Sequence, residues 1–91
     1  MARITPPDHL TGVAASVWRT IVEDSDTPHL LNPEELGAYC ELVALEREAS
    51  ARVREEGSVV SDEKGRPVPH PAIAVARQAQ QDIKGWGDRF R

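Results

Sequence analysis

Apolar positions along the chain fall into helical stretches separated by sharp breaks. Leu10, Val13, Ala14, Val17, Trp18, Ile21 and Val22 recur at three- and four-residue spacing, the period of an amphipathic helix. Ser16, Arg19, Thr20 and Glu23 occupy the other side, and Thr11 or Asp8 is the expected cap. Before this helix, Pro6-Pro7 favours extended backbone and opposes helix at Thr5, so residues 1–9 read as a flexible arm and residues 10–91 as one helical domain. Asp24 to Leu31 is polar and interrupted by Pro28, which predicts a loop.

Asn32-Pro33-Glu34-Glu35 is the strongest local signal. Asn32 can accept from free helix N–H groups, Pro33 has no N–H to leave unpaired, Glu35 stands at the capping-box position, and both acids suit the positive end of the helix dipole. The pattern predicts a long helix from Pro33 to about Glu56, closed by Gly57 as a left-handed cap. Its first half carries Leu36, Tyr39, Cys40, Leu42, Val43 and Leu45 around more than half its circumference. A surface helix needs one apolar stripe, so this half must touch neighbours on two sides: the first helix on one, and the last helix or another subunit on the other.

Ser58 to Pro69 reads as a β-hairpin turning through Asp62-Glu63-Lys64-Gly65. Pro67 and Pro69 share parity, so both missing donors fall on one edge, and the hairpin survives if that edge faces away from its partner strand. After His70, Pro71 suits the first position of a helix. Ala72, Ala76, Ala79, Ile83, Trp86 and Phe90 then form a helix-packing seam, with Gly85 and Gly87 weakening the end. The fold class is therefore mainly α, with about three helices and a β-hairpin, at about 58–69, between the second and third.

Composition adds a constraint on stability. The 91 residues include 4% aromatics and one cysteine, so the core is modest and cannot be stapled by an internal disulfide. Packing against identical copies is the expected remedy, and the wide apolar arc and alanine seam nominate Leu36, Tyr39, Val43, Ala76, Ala79, Ile83 and Trp86 for an oligomer interface. No stretch is long and apolar enough for a signal peptide or a bilayer span, which predicts a cytoplasmic protein with no membrane partner.

Charge and chemistry narrow the function. Eleven basic residues against 15 acidic ones leave a net charge of -4, unlike a domain that grips DNA through a broad patch. His9, His29 and His70 lack metal-site spacing, and His70 reads as a helix-entry residue beside Pro71. Cys40 lies in line with Leu36 and Val43 and reads as core. Glycines serve as caps, turns and breaks rather than a phosphate loop. The expectation is a protein that is not an enzyme and has no cofactor and no metal. Lys64 and Arg66 at the hairpin tip can touch a phosphate or a neighbouring subunit and, with Arg19 and Arg77, are the cations weighed as phosphate contacts, while Arg52 and Arg54 suit the helix dipole and Glu48 can pair with Arg52.

The order of these elements resembles the phage terminase small subunit of long-tailed phages and prophages. The resemblance rests on the Pro-rich start before Leu10, Trp18-Arg19 in a first helix, and the acidic helix start followed by Tyr39-Cys40. It continues through Gly57-Ser58-Val59-Val60, the turn at Gly65, and His70-Pro71-Ala72. It implies a non-catalytic subunit that assembles as a homo-oligomeric ring in the bacterial host cell. Such a subunit binds double-stranded viral DNA and hands it to the large terminase subunit for genome packaging. The rival reading is a small helical adaptor or regulator that binds protein without nucleic acid.

Overall fold

A computed structural model describes residues 4–90 of the chain; residues 1–3 of the expected arm, and Arg91, lie outside the described residues. The order is α1 (Gly12–Asp24), a single turn of 3-10 helix (Pro28–Leu30), α2 (Pro33–Glu56), β1 (Val59–Ser61), β2 (Pro67–Pro69) and α3 (Pro71–Trp86). The three helices and the intervening hairpin are those the pattern predicts. The loop before α2 differs in holding that 3-10 turn, whose first position is Pro28, with a preset φ and no donor to lose.

Asn32 caps α2 as expected, its side-chain oxygen accepting from the N–H groups of Glu34 and Glu35 at 2.9 and 3.1 Å. The reciprocal half of the capping box does not form, because Glu35 pairs with Arg89. Thr11 holds the cap position of α1 without a side-chain bond to it; the turn Leu10 N–H to Pro7 carbonyl at 2.9 Å leads the chain in instead. Gly57 has the expected positive φ, 88°, but its ψ of 159° carries the chain straight into β1 rather than into a left-handed cap.

In the hairpin Val60 faces Val68, flanked by Val59 opposite Pro69 and Ser61 opposite Pro67. Asp62 N–H donates to the Arg66 carbonyl and His70 N–H to the Ser58 carbonyl, each at 2.9 Å. Antiparallel pairs alternate between bonded and non-bonded, so both prolines occupy non-bonded positions. Their missing donors face away from the partner strand, as the parity requires.

Helix α2 is the spine. Its first half packs on α1 through Leu36 and Cys40 against Leu10, Ala14 and Trp18, with Ile4 and Phe90 at the margin. Its second half forms a separate cluster, Ala49 with Ala72 and Ala76 of α3, flanked by Val53. Helix α3 runs antiparallel to α2: His70 meets Glu56 at one end and Arg89 meets Glu35 at the other. The two sides of the wide apolar arc are thus α1 and the end of α3, where Tyr39, Trp86 and Phe90 pack edge-on or tilted with centroids 5.0–5.9 Å apart.

This arrangement is long and thin, 58 × 25 × 18 Å with a radius of gyration of 16.2 Å. A compact domain of this length has a radius of about 12 Å. Two small clusters strung along one helix replace a single central core.

Candidate functional site

Three surfaces carry features beyond packing: the hairpin tip and the two broad faces of the α2–α3 pair. At the tip, one Asp62 oxygen accepts from the N–H groups of Lys64 and Arg66, both at 2.8 Å, and the other accepts from Arg66 Nε at 2.9 Å. Gly65, at φ 77°, lets the chain reverse. The Arg66 backbone N–H is the chief cause holding the Asp62 carboxyl below the usual range, with the Lys64 N–H and the Arg66 guanidinium adding to it. Arg66 is therefore turned back onto its own turn, whereas the Lys64 ammonium is exposed and in no ion pair among the described residues.

One face of the α2–α3 pair is an open groove of about 580 Å³. Leu45, Ala49, Val60, Ala72 and Val75 give it an apolar lining, and Glu48, Arg52 and Glu56 edge it on the α2 side. Arg52 bonds Glu56 at 3.1 Å rather than the expected Glu48; glutamates stand four residues from it on either side, and that pair is the one that closes. That bond, and a second from His70, hold the Glu56 carboxyl low. His70 itself is buried: Nδ1 accepts from Ala72 N–H at 2.9 Å and Nε2 lies 3.2 Å from Glu56 Oε1. Since Nδ1 accepts, the proton of the neutral ring sits on Nε2 and is donated to Glu56. Both nitrogens are engaged in holding the helix entry, the role the sequence gives this residue.

The opposite face is basic. Glu46 accepts from Ser50 at 2.8 Å and Gln80 at 3.0 Å, and these bonds, Gln80 first, hold its carboxyl low with help from the charges of Arg47 and Arg54. Arg77 and Lys84 of α3 line the depression that contains Glu46 and Gln80, with Ile83 between them. Arg47, Arg54, Arg77 and Lys84 are all exposed and make no ion pair among the described residues. Of these four cations only Arg77 is nominated for a site from the sequence. The available signal was spacing: Arg47 and Arg54, like Arg77 and Lys84, are seven residues apart and so share a helix face.

Among the residues nominated for an interface, Leu36, Tyr39, Ala76 and Ala79 are buried within the chain, while Val43, Ile83 and Trp86 are half-buried. Arg19 lies apart from the other cations, beside Ile4, Pro6 and Val22. Cys40 is fully buried, and burial first, then the charge of Glu41, pushes its thiol up to about 11. A thiol held protonated is a packing group rather than a nucleophile. Among the described residues no group of three or more His, Cys, Asp or Glu is placed to hold a metal ion, and no helix is long and apolar enough to cross a membrane.

Comparison with known proteins agrees with the order of elements. The family model described as phage terminase, small subunit, matches residues 14–91. No curated protein and no solved structure matches the chain.

Proposed function

Because the chain belongs to the phage terminase small-subunit family, we propose that it is the non-catalytic component that recognises double-stranded viral DNA and regulates the large terminase subunit during genome packaging. It works as a homo-oligomeric ring in the cytoplasm of the bacterial host. The observation that carries this reading is the family match across nearly the whole helix–helix–hairpin–helix arrangement. The drawn-out shape supports it physically. A radius of gyration of 16.2 Å, with Leu45 and Val75 left 46% and 42% exposed, describes a protomer that leaves apolar surface for partners to cover.

Lys64 and Arg66 at the tip, with Arg19 and Arg77, are the proposed phosphate contacts. At the tip Lys64 ranks above Arg66, because Arg66 is bound to Asp62 while Lys64 makes no ion pair among the described residues. The acidic balance of the chain implies that several weak sites act together, which a ring provides.

Light scattering together with binding to viral duplex DNA over a salt series tests the reading. An oligomer is expected whose log affinity falls linearly with log salt, by about 0.9 per phosphate engaged. A net charge of -4 keeps one alternative in view, an adaptor that binds protein only. Absence of DNA binding even at low salt would overturn the DNA-recognition reading and favour that alternative.

A further inference from the structure

The two faces of the α2–α3 pair are opposite in sign, and each hides its own exceptions. At 100° per residue, Leu45, Glu48 and Arg52 point to the side of α2 opposite Arg47, Ser50 and Arg54. On α3, Val75, Gln78 and Asp82 form one stripe and Arg77, Gln80 and Lys84 the other; Gln78 bonds Asp82 at 3.0 Å along the first. The groove face therefore presents Glu48, Glu56 and Asp82, and the far face presents Arg47, Arg54, Arg77 and Lys84. The cation on the acidic face, Arg52, is tied to Glu56. The anion on the basic face, Glu46, is tied to Ser50 and Gln80.

We infer that copies of the chain stack face to back, the acidic apolar groove of one receiving the basic face of the next. This rests on the oligomeric reading above and adds which surfaces meet. Charge complementarity is the first ground: the unpaired charges of each face are the counterions of the other. Coverage is the second. Leu45 and Val75, 46% and 42% exposed beside the groove, need an apolar neighbour, and the basic face offers half-buried Val43 and Ile83. A phosphate backbone would neutralise the cations and leave the groove bare, whereas one neighbour satisfies both.

Size is the third ground. Twenty-four residues of α2 and sixteen of α3 give helices of about 36 and about 24 Å, each about 10 Å wide. The resulting footprint, on the order of 600 Å², reaches the lower end of the roughly 600–1,000 Å² each partner buries in a stable interface. Because the two contacting surfaces differ, the contact is heterologous, and it closes into a ring when the rotation per copy divides a full turn without a rise. On this pairing Arg77 moves from the phosphate contacts proposed above to the interface, leaving Lys64, Arg66 and Arg19 for phosphate.

A charge-swap experiment on the full chain tests this. One variant carries Arg47→Glu with Arg77→Glu, the other Glu48→Lys with Asp82→Lys; all four side chains are exposed, and circular dichroism verifies that each variant folds. Light scattering is expected to show an oligomer for the unaltered protein, monomer for each variant alone, and recovery of an oligomer when the two are mixed in equal amounts, at the unaltered mass where the subunit number is even. Only a face-to-back contact predicts that recovery, since wherever copies of the two variants alternate the junction between them restores opposite charges. Unaltered mass in either variant alone, or no recovery on mixing, overturns the pairing of faces. Assembly that persists in the first variant while its DNA affinity loses salt dependence assigns the basic face to phosphate and equally overturns it. A monomeric unaltered protein overturns the oligomeric reading itself.

Discussion

His70 donates from Nε2 to the Glu56 carboxylate across 3.2 Å, so the last residue of α2 and the residue that opens α3 are held together beneath the hairpin. With Nδ1 accepting from Ala72, one buried ring joins two helix ends and the base of the β-ribbon. His70→Asn keeps a side chain able to cap α3 and loses the reach to Glu56; His70→Ala loses both. Urea denaturation should find the alanine variant less stable than the asparagine variant by about 1 kcal/mol, the usual value of an N-cap.

Trp18 is 1% exposed and fills the space between α1 and α2. Its removal as Trp18→Ala is expected to cost about 3–5 kcal/mol, enough to unfold most of a chain with so small a core at 37 °C. Gly37 faces the same ring, and a Cβ there would sit 3.9 Å from Trp18 Cζ3, an ordinary contact distance. Gly37→Ala should therefore raise stability by up to about 1 kcal/mol through helix propensity. A loss of stability in that variant would show the α1–α2 contact to be tighter than described.

The carboxyls of Asp62, Glu56 and Glu46 are all held below their ordinary range. A depressed folded-state value means the stabilisation is fully present above the unfolded-state value, about 4. It fades as pH falls through the depressed one. Thermal midpoints should be flat from neutral pH down to about 5 and then drop. Asp62→Asn should flatten part of that drop, because the amide oxygen still accepts the Lys64 and Arg66 N–H bonds without titrating.

Cys40 should be silent toward thiol reagents at pH 8 in the folded protein, given a thiol pushed up to about 11 by burial and Glu41. Reaction is expected at the rate of global or local opening, and to become fast in denaturant. Rapid labelling of the native protein would mean that α1 separates readily from α2.

Much of this molecule is legible from its sequence because local chemistry and packing agree. Asn32-Pro33 announces the start of α2, the parity of Pro67 and Pro69 gives the hydrogen-bond phase of the hairpin, and the alanines at 72, 76 and 79 identify the face of α3 that approaches α2. Less legible are choices between equivalent partners. Arg52 has a glutamate four residues away on either side, and only the structure shows it bonded to Glu56. Glu35 could close a capping box, yet Arg89, 54 residues distant in sequence, claims it. The basic face is hidden for a related reason. A net charge of -4 is a sum over the chain and conceals that the unpaired cations of two helices collect on one side.

The paired prolines of β2 have a consequence for how the ribbon can grow. With no outward N–H at 67 or 69 on that rim, an incoming strand can align only alongside β1. Two ribbons joined that way would form a four-stranded sheet bounded by proline on both rims, and extension would stop. The ribbon thereby keeps an association route that ends, instead of one that runs on into fibrils.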